Sequence, residues 1–421
     1  MTAVTLDGGL VAGVAAEELA AEFGTPLYVY DLDVVTARVE ALRAALPPSF
    51  DLAFAVKANP AHGVLRHLAG LGLGADVASG GELEAVRRAG FDPGITVFTG
   101  PGKRDHELAA AVRAGLRAVT VESTGELERL RAFAASAGRR IPILLRASAG
   151  AGGGSIIAAD DLDKFGMLPA DLEQAAAVAA SDPHLELLGL HAFHASNVLE
   201  ARPLINHVRD TVARAAALAD GAGVALRLVD VGGGLGIPYA DGEAPLNLDA
   251  LGRGLGELAT GWAADPSTAG ARFLLEPGRF LVGPAGIYLS RVLDLKATRH
   301  GTLAIVDGGV HHLLRPALLG QEQRLRVVTA GAEDRPMQQV SVAGPLCTGL
   351  DRFAVNARLP EPAVGDLVAV LDAGAYGFSE SMPLFLSHPM PAEVAVQAGR
   401  ARLIRPRIDV ADILDRQVLQ P

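Results

Sequence analysis

Lys57 closes the apolar run DLAFAV in the segment FAVKANP (54–60). A lysine at the end of a buried strand has an apolar stem and a poorly solvated amine. Desolvation lowers the amine's pKa toward the neutral, nucleophilic form that can capture a carbonyl carbon. In DVGGGLG (230–236) three consecutive glycines follow another apolar run. Glycines let the backbone approach a ligand closely, and free N–H groups at a helix start favour a phosphate. EPGR (276–279) ends a third run with a carboxylate, Glu276, and a guanidinium, Arg279. Each segment also has a plainer explanation: a snorkelling surface lysine, a tight turn, a structural ion pair. Together they supply an amine, a phosphate cup and an acid for a ring nitrogen, the groups that hold pyridoxal phosphate. The acid bears on the class of reaction. Negative charge beside the ring nitrogen keeps it protonated and makes the ring a strong electron sink, which decarboxylation requires.

Such groups must be gathered by elements that end at one place. Eight β-like runs recur at 51–56, 73–78, 95–100, 117–122, 141–147, 185–193, 226–234 and 271–278. Helical stretches such as 81–90, 105–114, 124–138 and 203–222 separate them. This is the count of an α/β (β/α)8 TIM barrel, whose active sites lie at the C-terminal strand ends. An open doubly wound sheet gives the same alternation. After about residue 285 valine-rich strands with Gly/Pro punctuation replace the helices, and TPLYVYD (25–31) is a strand before the first barrel unit. The expected division is a cofactor-binding barrel over 30–284 and an all-β domain over 285–421 that includes 1–29. The glycine-rich segment 148–164 is expected to be a mobile loop.

Composition narrows the class. A net charge of −11 argues against a general nucleic-acid binder, which needs a basic face. No apolar run reaches the ~20 residues that span a bilayer, and no secretory pattern opens the chain. The lone cysteine, Cys347, can form neither an internal disulfide nor a structural zinc site. A cytoplasmic enzyme without a metal is expected. Lysine is scarce, with only Lys57, Lys103, Lys164 and Lys296, so a lysine in an apolar pattern stands out.

Further motifs carry a family resemblance. They include ADVASGGEL (75–83), FTGPGK (98–103), KFGM (164–167), VGGGLGIPY (231–239), EPGRFLV (276–282), VDGGVHHLLRPAL (306–318), GPLCTGLD (344–351) and DAGAYGFS (372–379). In this order, with FAVKANP, the chain resembles the fold-type III pyridoxal-phosphate decarboxylases, the family of the diaminopimelate, ornithine and arginine enzymes. The resemblance implies that Lys57 binds the cofactor aldehyde and that Glu276 partners the ring nitrogen. It implies phosphate contacts for Ser196, Gly233, Gly234, Arg279 and Tyr376, and polar positions near the lysine and ring for Asp76 and Arg146. Cys347 matches a cysteine that protonates the substrate carbon from a second subunit, and Asp351 closes the same motif. A homodimer with shared sites is implied by that match.

Departures bear on the substrate. In GLHAFHASN (189–197) the ring-stacking histidine of the family corresponds to Phe193, and strand alternation puts His191 on the same face as Phe193. His191 is either a cofactor neighbour or a core histidine. Thr348 stands where diaminopimelate and ornithine enzymes carry an acid for the substrate's far ammonium. Leu319 and Leu384 to Leu386 replace a tyrosine and an Asn-Tyr-Asn run of the diaminopimelate enzymes, whereas Arg315 is retained. The runs VDGGVHH, AGPLCT and FLSHP most resemble a natural-product branch of the family. That branch includes siderophore decarboxylases and the butirosin-pathway enzyme, which acts on glutamate tethered to an acyl carrier protein. The substrate is therefore expected to be an amino acid or a carrier-linked or conjugated aminoacyl group. The alternatives are diaminopimelate decarboxylation, an amino-acid racemase, against which Glu276 argues, and a non-catalytic cofactor-binding relative.

Overall fold

The computed structural model describes residues 3–7, 9–148, 164–299 and 301–418. Of the segment expected to be a mobile loop, 149–163 lie outside the described residues. Eight parallel strands close into a barrel: Phe50–Ala55, Gly74–Val77, Val97–Phe98, Ala118–Val121, Ile141–Arg146, Leu185–His191, Leu228–Asp230 and Arg272–Leu275. The last strand pairs with the first, Phe273 opposite Phe50, which excludes the open sheet. The strands are apolar on both faces because both faces are covered. Ala53, Val97, Ala118, Leu144, Leu228 and Leu274, one from each of six strands, meet in a cluster that fills the barrel interior. The other face packs under the helices, as Phe273 does against Trp262 with ring centroids 4.6 Å apart.

Short loops return each helix to the barrel. VASGGELEAV and VESTGELERL repeat one pattern after two different strands. In each, a serine caps the next helix: Ser79 Oγ accepts from Glu82 N and Ser123 Oγ from Glu126 N, both at 3.1 Å. The tight caps hold Asp76 and Glu122 at the mouth of the barrel.

The second sheet is built on the long strand Gly286–Thr298, which pairs with Gly301–Val306, Leu367–Val370 and Leu27–Asp31. Leu27–Asp31, from near the start of the sequence, lies between Gly286–Thr298 and the parallel strand Ala392–Gln397. Two hydrogen bonds join this part to the turn that carries Lys57: Asn59 Nδ2 donates to Gly374 O at 2.9 Å, and Tyr376 N to Ala58 O at 2.8 Å. Among the described residues no helix is long and apolar enough to cross a membrane.

Lys103, one of the four lysines, is fully buried beside the barrel mouth. Its Nζ donates to Glu126 Oε1 at 2.7 Å and to the carbonyls of Gly100 and Thr120 at 2.8 and 2.6 Å. Removing one member of a buried ion pair leaves the other uncompensated, at a cost of roughly 3–5 kcal/mol, while replacing both by apolar groups costs far less. Lys103→Met should therefore destabilise the protein by about that amount, and adding Glu126→Leu should recover much of the loss. Urea unfolding of the two variants checks this; equal losses in both would show that the ion pair is not what the site depends on.

Candidate active site

Lys57 lies in the turn Val56–Ala58 directly after the strand Phe50–Ala55. Its Nζ donates to Asp76 Oδ2 at 2.9 Å. Asp76 is buried at the end of the adjoining strand, and its Oδ1 accepts from Thr99 Oγ1 at 2.6 Å. The sequence suggested a depressed amine pKa, and here the geometry corrects it. The Lys57 side chain is 48% exposed, and the partial burial that lowers its pKa is outweighed by the carboxylate of Asp76, which raises it above the usual lysine value. The free amine is an ammonium held by its pairing with Asp76, and it must give up a proton before it reacts.

Below Lys57 the strand ends converge on a buried trio. His191 ends one strand, Asp230 the next, and Glu276 directly succeeds the third. His191 Nε2 lies 3.9 Å from Glu276 Oε2, and one donor atom from each of the three falls within 4.8 Å of the others. Burial pushes Asp230 up to about 7 and Glu276 well above the ordinary carboxylate range, the charge on Asp230 adding to the rise in Glu276. Burial likewise holds the His191 imidazole well below its usual pKa, so the ring is neutral. Among the described residues, both ring nitrogens of His191, Asp230 Oδ2 and Glu276 Oε1 have no hydrogen-bond partner. Buried polar atoms without partners are costly. A protonated ring nitrogen would satisfy Glu276 and supply the positive charge that lets it ionise.

The glycine run brings a second group alongside. A side chain on Gly233 would place its Cβ 2.3 Å from the carbonyl oxygen of Glu276, so only glycine lets these strand ends approach. Gly234 has φ +97°, a left-handed conformation that glycine adopts without strain. Arg279 donates to Tyr239 Oη at 2.6 Å and to Ser196 Oγ at 3.2 Å. Its guanidinium also lies 4.6 Å from the centroid of Tyr376, whose own φ of +55° is strained for a tyrosine. A guanidinium, a hydroxyl and a glycine turn, with no carboxylate bonded to the guanidinium or hydroxyl among the described residues, suit a phosphate. With the amine at Lys57 and the buried acid at Glu276, whose Oε1 is unbonded among the described residues, the residues present fit pyridoxal phosphate.

Phe193 departs from the sequence expectation. The strand stops at His191, so alternation does not extend to the residues after it. Phe193 instead packs by the glycine turn: a Cβ on Gly232 would come within 3.1 Å of its ring. His194 stacks on His207 with centroids 5.6 Å apart, outside the group around Lys57.

Arg146 is held by a residue that the sequence did not single out. Glu122 Oε1 accepts from Arg146 Nη1 and from Gly100 N, both at 2.8 Å, and Oε2 from Gly166 N at 3.3 Å. Asp230 was also passed over. Both carboxylates end apolar strands, as Lys57 does, and applying the strand-end rule to acids would have found them.

The remaining positions lie apart. Cys347 is exposed on the loop between Met337–Ala343 and Arg352–Pro360, with Thr348 half-buried beside it. Asp351 is buried, and its two oxygens accept from Val310 N at 2.8 Å and Leu346 N at 2.7 Å, which folds this loop against residues 309–310. Among the described residues none of these three bonds to the Lys57 group. Arg315 does approach it, through the ring of Tyr376 at 5.1 Å.

Residues 32–283 match the family described as pyridoxal-dependent decarboxylase, pyridoxal binding domain. The chain is 35% identical over 412 residues to the diaminopimelate decarboxylase of Methanothermobacter thermautotrophicus, covering 97% of this chain and 95% of that one. It is 31% identical over 408 residues to the L-glutamyl-[BtrI acyl-carrier protein] decarboxylase of Niallia circulans, covering 95% of each. Among solved structures, diaminopimelate decarboxylase from M. jannaschii in complex with L-lysine superposes with a TM-score of 0.92 at 27% identity, covering 100% of this chain and 98% of that one. A closed barrel with an amine, a buried acid and a phosphate cup at its mouth thus meets full-length likeness to enzymes of one kind, and the chain belongs to the fold-type III pyridoxal-phosphate-dependent decarboxylases.

Proposed function

We propose that this decarboxylase acts on an amino acid whose distal end is conjugated or carrier-linked, in the cytoplasm and within a natural-product or siderophore pathway. The observation that carries this reading is the loss of distal charge. Thr348, Leu319 and Leu384 to Leu386 stand where the resemblance places an acid, a tyrosine and a polar run in diaminopimelate enzymes. Leu384, Phe385 and Leu386 are exposed at 62%, 41% and 48%, an apolar surface that a charged amino acid does not need. The likeness to the acyl-carrier enzyme supports the same reading. Free diaminopimelate is the second reading, favoured by the names of several relatives of 32–36% identity.

Bound in the site, pyridoxal phosphate supplies the electron sink that takes up the pair left behind as carbon dioxide departs. The chain's own residues prepare and finish that event. Lys57 would hold the cofactor through its amine, and Asp76 orients that amine through the 2.9 Å bond between them. Glu276 would accept the ring N–H, with Asp230 and His191 as its buried neighbours. Ser196, Gly233, Gly234, Arg279 and Tyr376 would hold the phosphate, Phe193 lies at the glycine turn, and Glu122 fixes Arg146 at the mouth. Cys347 from a second copy of the chain delivers a proton to the α-carbon, so a homodimer has two shared sites. Asp351 acts in this scheme by shaping the loop that presents Cys347 and Thr348.

Borohydride reduction of the purified enzyme, followed by peptide mapping, should recover a pyridoxyl group on Lys57; a label on another lysine would sink the assignment. Lys57→Ala and Cys347→Ala should each lose activity, and mixing the two should restore part of it, since one rebuilt site forms per heterodimer. Absence of rescue after verified subunit exchange would count against a shared site. A third check is carbon dioxide release from free diamino acids beside aminoacyl-carrier and amide-conjugated amino acids. An unpartnered buried ammonium costs roughly 3–5 kcal/mol, about two to four orders of magnitude in specificity, so free diaminopimelate should be the poor substrate. Turnover of diaminopimelate at a kcat/KM of about 10⁴ M⁻¹s⁻¹ or more, an ordinary enzyme value, would favour the second reading instead.

A further inference from the structure

Arg315 opens the short helix Arg315–Leu319, and its side chain is only 9% exposed. Its guanidinium carbon lies 5.1 Å from the centroid of Tyr376, the ring that Arg279 also approaches. Arg315 Nη1 donates to Glu380 Oε2 at 3.3 Å, while Nε is buried and has no hydrogen-bond partner among the described residues. Glu380 ends the turn Phe378–Glu380 and is the more exposed member at 28%, so it covers the guanidinium from the solvent side. Neighbouring bonds fix the arrangement. Leu314 N donates to Ser381 Oγ at 3.2 Å, and that hydroxyl donates to Gly377 O at 2.7 Å. The helix bearing Arg315 and the turn bearing Glu380 are therefore joined beside the group around Lys57.

This pairing sets what the wall will accept. A free carboxylate arriving at Arg315 must displace Glu380 or lie against a like charge. A free ammonium reaches Glu380 only beside a guanidinium. A neutral carbonyl meets neither difficulty, because it can accept from the orphaned Nε and leave the ion pair whole. Beyond Glu380 the chain turns apolar at Leu384, Phe385 and Leu386, in keeping with a substituent that carries no charge.

We propose that Glu380 determines specificity: it neutralises Arg315, so that the distal wall takes a neutral acyl group through the carbonyl of an amide or thioester and disfavours a free distal carboxylate. The inference rests on the conjugated-substrate reading and adds the residue that enforces it.

The test uses matched pairs, L-glutamate or diaminopimelate against the same amino acid with its distal carboxylate converted to an N-ethylamide. Carbon dioxide release gives kcat and KM for the wild type, Glu380→Gln and Glu380→Ala, and calorimetry gives the affinity of unreactive α-methyl analogues of each pair. A charge-assisted hydrogen bond released to the ligand corresponds to about a tenfold gain or more. The acid-to-amide ratio of kcat/KM should rise by about that factor in Glu380→Gln, mainly through the KM of the acid, and the analogue affinities should move with it. Because Glu380 is partly exposed on a turn, Glu380→Ala provides a second variant in which the same shift is required. A ratio within about twofold of wild type in both variants, where at least tenfold is expected, overturns the role of Glu380. The broader reading fails separately, if the wild type itself prefers free diaminopimelate to every amide and thioester; a shifted ratio in the variants would still uphold Glu380.

Discussion

Ionisable groups crowded into the mouth of a closed barrel are the constraint on which the rest of the site depends. Lys57, Asp76, Asp230, Glu276 and His191 come from five different strand ends, and the four other than Lys57 are almost fully removed from water. A medium that poor in solvent cannot hold unpaired charge cheaply. The groups settle the matter in two ways. Lys57 and Asp76 pair, which keeps the amine charged. Asp230, Glu276 and His191 have no counter-ion of their own and are pushed toward neutrality. The floor of the site is thus pushed toward neutrality and leaves Glu276 Oε1 unbonded among the described residues, an atom that a ring cation would meet.

A scaffold must hold these groups without letting them relax apart. Backbone contact does this at the glycine run, where Gly233 lies against the Glu276 carbonyl and Gly234 against that of Ala195. Side chains do it on the opposite arc, where Glu122 gathers Gly100, Arg146 and Gly166. The serine caps at Ser79 and Ser123 keep those loops short. The site is therefore supported by glycine packing on one side and by a carboxylate hub on the other.

Much of this was legible in the sequence. All eight barrel strands are apolar runs with turn signals between them, and the chemistry of Lys57, Glu276 and Arg279 comes from ending such runs. The features that were not legible depend on partners distant in the chain. The basicity of Lys57 is set by Asp76, which the sequence marks only as polar. The place of Phe193 could not be taken from alternation, because no local signal announces that the strand ends at His191. Lys103 looks like a loop lysine after two glycine turns, and only the helix carrying Glu126 makes it a buried cation. Glu380 likewise gains its meaning from Arg315, 65 residues away.

The strand Leu27–Asp31 also constrains the order in which the chain can be completed. Both of its neighbours, Gly286–Thr298 and Ala392–Gln397, are synthesised hundreds of residues later. Throughout translation of the barrel it has no β-partner, although every one of its residues is buried once folded. The barrel, whose strands pair mostly with their neighbours in sequence, can close first; the second sheet cannot. Such long-range pairing is slow and leaves an unpaired edge open to wrong partners. Residues 376 and 393 to 397 arrive in the same late step, so the ring of Tyr376 reaches the mouth of the barrel only as the sheet closes. A ribosome-bound chain stopped after the barrel would hold Lys57, Glu276 and Arg279 but lack that ring, and would be an incomplete site rather than a smaller enzyme.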